Sequence, residues 1–252
     1  MGTINVDTIK NNVGGNTDIK IGDASLSSSS GNLGLGVTPT TAYGRVAQIH
    51  DTGTAGANLR LTDANSGSGT GNGFEIIQLT GNSFLINREA GAMSMFTSGT
   101  EAMKIDANGH ITKPLQPAFL VTKSGAQDNL TAGSEITITF DSEIFDQNAD
   151  FASNTFTAPV DGRYYLQIKL NLGSTDADST NFQTRIITSN RTHAFNFDPA
   201  AFDQDTGNHT VMAATLADMD ANDTCTFKVF QTGGLNQCDV SSSSTASGFL
   251  AC

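Results

Sequence analysis

At 252 residues and a net charge of −12, the chain has room for one or two domains. It is also too acidic for nucleic acid or an anionic membrane, whose phosphates would repel it. The acid is uneven: residues 1–115 carry 7 basic and 9 acidic side chains, residues 116–252 carry 6 and 16. Fourteen of the eighteen Phe and Tyr residues follow position 115. Large aromatic side chains dominate core burial, so a compact core is expected there and not in the Gly/Ser/Thr/Asn-rich first half.

Residues 1–25 read as an extended segment anchored by Ile4, Val6, Ile9, Ile19 and Ile21. The start lacks a basic region followed by an apolar run, so no signal peptide is expected. No stretch approaches membrane-spanning length. Residues 26–31, Leu-Ser-Ser-Ser-Ser-Gly, read as a linker. From 32 to 113 short strands alternate with turns: 32–37 before Thr38-Pro39, 58–63 before a Gly/Ser-rich break at 65–73, then 75–79 and 84–88 around Thr80-Gly81-Asn82-Ser83. Met103–Asp106 and His110–Thr112 flank Ala107-Asn108-Gly109, a strong hairpin signal. Strands this short and this poor in apolar residues need partners to bury their faces, and winding three chains about one axis supplies them.

The second half is richer in signal. Pro117-Ala118-Phe119 opens it. Phe156-Thr157-Ala158-Pro159 reads as a strand ended by a residue with no ladder donor. Asp161-Gly162 reads as a turn using the positive φ that glycine tolerates. Tyr164, Leu166, Ile168 and Leu170 then alternate with Tyr165, Gln167, Lys169 and Asn171, which predicts one buried and one exposed face; Tyr165, on the exposed face, is the candidate for contact with a neighbouring subunit. Leu216 to Val229 reads as a hairpin turning at Asn222-Asp223, and Ser247-Gly248-Phe249-Leu250 reads as a final strand.

These residues resemble the trimeric jelly-roll family typified by tumour necrosis factor and the globular head of complement subcomponent q. Phe156–Leu166 carries most of the likeness, and Asn222 stands where the family usually has glycine. Asn also visits left-handed conformations, so the fold is expected to survive the change. The phrases Gly31-Asn32-Leu33-Gly34-Leu35-Gly36 and Met103 to Thr112, with the opening Ile4 to Asn11, resemble bacteriophage fibres.

Chemistry is sparse. Cys225, Cys238 and Cys252 are odd in number, show no metal-type spacing, and read as reduced thiols. With no secretory route evident, the Asn-x-Ser/Thr sites at Asn129, Asn190, Asn208 and Asn222 carry no meaning as glycosylation signals. Asp218, Asp220, Asn222 and Asp223 lack the calcium-loop spacing with its terminal Glu and read as a solvated turn. The four histidines stand in no nucleophile context, and the glycines at 67–73 lack the Lys-Ser/Thr of a phosphate loop.

The expected fold is therefore all-β: an extended N-terminal segment with linker (1–31), a β-rich trimeric stalk (32–115) and a jelly-roll sandwich head (116–252). The expected function is non-enzymatic: a phage virion fibre or spike, made in the host cytoplasm, whose head attaches to a host surface. A capsid decoration or cement protein is the alternative, and a bacterial surface adhesin a third reading. The implied partners are two further copies, other virion proteins at the N-terminal segment, and a host surface saccharide or protein, with no nucleic acid and no membrane insertion. No cofactor is expected; calcium is left open. Receptor contact is assigned to loops 173–181, 189–193 and 203–209, carrying Asp176, Asp178, Arg191, His193, Asp203, Asp205 and His209.

Overall fold

The computed structural model describes residues 47–252 and the backbone of two strands, Ala24–Ser27 and Asn32–Leu35. Among the described residues every regular element is a strand except one 3-10 turn at Pro199–Ala201. The all-β expectation holds. The chain divides into two compact units, one running to Ser94 and including Lys104–Ile111, the other comprising Met95–Met103 and Thr112–Cys252.

In the first unit Ala24–Ser27 pairs antiparallel with Asn32–Leu35, which pairs parallel with Ala47–Ile49. The linker expected at 26–31 is corrected at Leu26 and Ser27, which belong to a strand. The anchors Ile4 to Ile21 lie outside the described residues.

The strands Ala57–Leu61, Phe74–Leu79 and Asn82–Asn87 form an antiparallel sheet. Thr80 and Gly81 both have positive φ, 46° and 84°. That makes a two-residue turn of the kind whose twist matches the flanking strands. On one face Leu59, Ile76 and Leu85 stand in register, 44%, 47% and 54% exposed. On the other, the fully buried Glu75 accepts from Asn58 Nδ2 at 3.0 Å and Arg60 Nε at 2.6 Å, and pairs with Arg88 at 2.8 Å. A buried carboxylate is tolerable only with such partners.

The second unit holds a jelly-roll sandwich. Its front sheet runs Ser142–Gln147, Ala118–Thr122, Thr245–Leu250, Gly162–Thr175, Thr206–Met219, with Asp239–Val240 also on the Gly162–Thr175 strand. Its back sheet runs Phe151–Ala152, Thr155–Thr157, Thr224–Gly233, Ser179–Thr188, Thr192–Phe197, with Glu135–Thr137 on the Thr224–Gly233 strand.

The core lies between the sheets because period-two alternation sends every second side chain inward. Tyr164, Leu166, Ile168 and Leu170 are fully buried, as expected. Phe119 stacks on Phe156 at 4.9 Å and lies 5.1 Å from Phe151, and Phe156 packs on Tyr164 at 5.4 Å. The Tyr164 hydroxyl donates to Val160 O at 2.8 Å, so the buried ring keeps a partner.

Two expectations need correction. Leu216–Val229 is not a hairpin: Thr206–Met219 lies in the front sheet and Thr224–Gly233 in the back. The turn between them carries the chain across the sandwich, with Asn222 at φ 74° taking the left-handed position. Gly162 has no positive φ and begins a strand. It is small because a Cβ there would stand 2.5 Å from Leu250 Cδ1 and 2.8 Å from Cys252 O.

Candidate functional site

The front sheet turns its second face outward. Strand register puts Tyr165 between Leu216 and Phe249, Lys169 beside Met212, and Leu120 opposite Phe145. Tyr165 and Phe249 touch with ring centroids 5.4 Å apart. Leu216, Met212, Phe145 and Phe249 are 58%, 60%, 50% and 48% exposed. Isolated exposed apolar side chains need no explanation, but this group runs across five neighbouring strands of the front sheet, and an apolar patch of that kind is a candidate interaction surface. Of these residues, the sequence pattern alone points only to Tyr165. Its partners come from strands distant in the chain. The one local clue was the alternation of Met212 and Leu216 with small buried Ala213 and Ala217.

The candidate receptor residues do not gather in one place. The Gly162–Thr175 strand spans about 45 Å, and its register assigns each loop to an end. Gly162 pairs with Met219 near Cys252, and Thr175 pairs with Thr206. Asp176, Asp178, Asp203, Asp205 and His209 lie toward the Thr175 end. Arg191 and His193 lie toward the other, where Asn190 Nδ2 donates to Asp218 O and Asp223 Oδ2.

Several of these side chains already serve the fold. Asp176 is buried, 5% exposed, and accepts from the Asp178 and Leu235 amides. Asp205 accepts from Ala177 N at 3.0 Å and Gln237 Nε2 at 2.9 Å, and those donors, the Ala177 amide foremost, hold its carboxyl below the usual range. His193 and His209 belong to strands, not loops. Asp178, Arg191 and Asp203 are exposed.

The Asp218–Asp223 turn is likewise internally satisfied. Asp218 pairs with Arg163 at 2.7 Å, and Asp223 Oδ2 accepts from Asp220 N at 2.9 Å. No group of three or more His, Cys, Asp or Glu among the described residues is arranged to hold a metal ion. Cys225, Cys238 and Cys252 are free thiols. Burial pushes the Cys238 thiol up to about 11, and the Cys225 thiol higher, so neither is a nucleophile.

Residues 118–251 match the family model described as the C1q domain. Similar solved structures include the globular domain of zebrafish complement 1qA protein, 18% identical with a TM-score of 0.42, covering 54% of this chain and 98% of that one. Murine APRIL at pH 5.0 is 8% identical with a TM-score of 0.38, at the same coverage of both chains. No curated protein matches the sequence.

Proposed function

The chain belongs to the C1q domain family through residues 118–251, and from that premise we propose that it is a homotrimeric virion fibre or spike whose head attaches to a host-surface saccharide or protein. Domains of this family are often trimeric and serve binding more than catalysis. In this reading residues 1–31 dock on other virion proteins, 32–115 form the stalk and 116–252 the head. The observation that carries it is the outward apolar face around Tyr165, Phe249, Leu216 and Met212. An acidic chain that carries an apolar surface of that kind gains by covering it, and two further copies do so with closed symmetry. The unsealed Leu59–Ile76–Leu85 face and the fibre-like phrases in the first half support the stalk.

Receptor contact then falls on the exposed Asp178 and Asp203 at the Thr175 end of the head, with Arg191 at the opposite end a separate contact. The acidic surplus suits a basic partner or a calcium-bridged saccharide. The test is adsorption of the purified full chain to host cells, with and without a chelator, and competition with virus attachment. Binding and competition support attachment. If the chain neither binds nor competes, while infection proceeds without the head, the decoration reading replaces it.

A further inference from the structure

One side of the sandwich is closed without backbone pairing. Thr192–Phe197 is the last strand of the back sheet and Thr206–Met219 the last of the front. The two edges exchange histidines instead. His193, from the back edge, places Nδ1 3.2 Å from Thr215 Oγ1 on the front edge. His209, from the front edge, packs its ring edge-on against Phe197 at 5.5 Å and against Phe202 of the connecting corner at 5.8 Å, with Nδ1 3.1 Å from Thr206 Oγ1. In both rings Nε2 is buried and has no hydrogen-bond partner.

We propose that these two histidines form a proton-sensitive latch, which holds the open edge of the head together at neutral pH and releases it in mild acid. In either neutral tautomer one ring nitrogen meets a threonine hydroxyl. A second proton, on whichever ring nitrogen lacks one, gives the ring a positive charge and leaves its Nε2–H buried with no acceptor. Burial pushes both imidazoles below their ordinary value. The nearby Arg191 guanidinium adds to this for His193.

No opposing carboxylate offsets the effect. On the strand beside His193, Thr184 and Ile186 face inward. Asp218, on the front edge, is turned out to Arg163. In the corner next to His209, Asp198 accepts from Ala200 N and Asp205 from Ala177 N, while Asp203 is exposed. Neutral imidazole is therefore the folded form. Its contribution is complete above the unfolded value of about 6.5 and is lost as pH falls through the depressed folded value. Ordinary carboxylates titrate lower, near 4, so a loss that begins below about pH 6.5 and precedes the carboxylate range belongs to these histidines. Asp150, whose carboxyl burial pushes up, lies beside Phe151–Ala152 at the opposite edge of the back sheet. Release frees the corner that carries the exposed Asp203.

Amide hydrogen exchange on the full chain at pH 7.5 and 5.5, corrected for intrinsic rates, tests this. Residues 192–215 should lose protection several-fold at pH 5.5 while Thr224–Gly233 keeps it. His193→Gln with His209→Gln should abolish the difference. Equal protection at both pH values overturns the latch, as does an acid response that persists in the double variant. Should that variant not fold, exchange at the imidazole C2 hydrogens of the wild-type chain decides. Proton uptake by both rings at the pH of protection loss supports the latch, and uptake without that loss overturns it.

Discussion

Single residues in the sandwich are held by close contacts. Ile168 is fully buried between the two sheets, and Ile168→Ala should cost about 2–5 kcal/mol in chemical denaturation. A loss below about 0.5 kcal/mol, typical of a surface site, would reverse the face assignment. Gly248 shows a different constraint. A Cβ there would lie 2.7 Å from Phe119 Cε1 and 2.8 Å from Leu166 Cδ2. Both neighbours are core side chains, at most 1% exposed, so neither can move aside. Gly248→Ala should destabilise by about 1–3 kcal/mol through overpacking, measured in the same way, and a neutral result would show that the core there yields. The Ser-Gly-Phe-Leu ending was visible in the chain. That its glycine faces the ring of Phe119, more than a hundred positions earlier, was not.

Among the elements, alternation predicted the central strand well because one buried face imposes a strict period of two. The Thr80-Gly81 hairpin was legible for a local reason, its demand for positive φ. The Leu216–Val229 pair misled, since a turn signal says that the chain reverses, not whether the next strand joins the same sheet. His193 and His209 were assigned to loops because single polar residues do not announce a strand whose inward face lies at an open edge.

Glu75 makes a prediction at this scale. The Asn58 amide, then Arg60 and Arg88, hold its carboxyl down at about 2. A carboxylate with a lowered folded pKa stabilises fully above its unfolded value of about 4.3 and loses that contribution as pH falls toward 2. The sheet Ala57–Asn87 should therefore loosen between about pH 4 and 2. Glu75→Gln should remove that acid response and lower the sheet's stability at pH 7, read by amide exchange at Phe74–Leu79. An unchanged acid response in Glu75→Gln would contradict the assignment.

For the whole molecule, the test is stoichiometry. Light scattering after size exclusion should give about three times the 26.3 kDa chain mass, and a clean monomer would sink the trimer reading. Tyr165→Asp places a charge among Phe249 and Leu216 on the outward face. It should yield a folded monomer, recognised by a strand-rich circular dichroism spectrum at one chain mass. A Tyr165→Asp trimer would move the interface elsewhere. By itself the sequence determined the all-β class, the C-terminal location of the core, the buried phase of the central strand and the family, because these rest on composition, period and short-range turn chemistry. Only the tertiary structure decided which sheet each strand joins, which exposed side chains form one face, and which acidic residues are spent on holding loops. Those outcomes depend on pairings between positions far apart in the chain, and no local pattern encodes them.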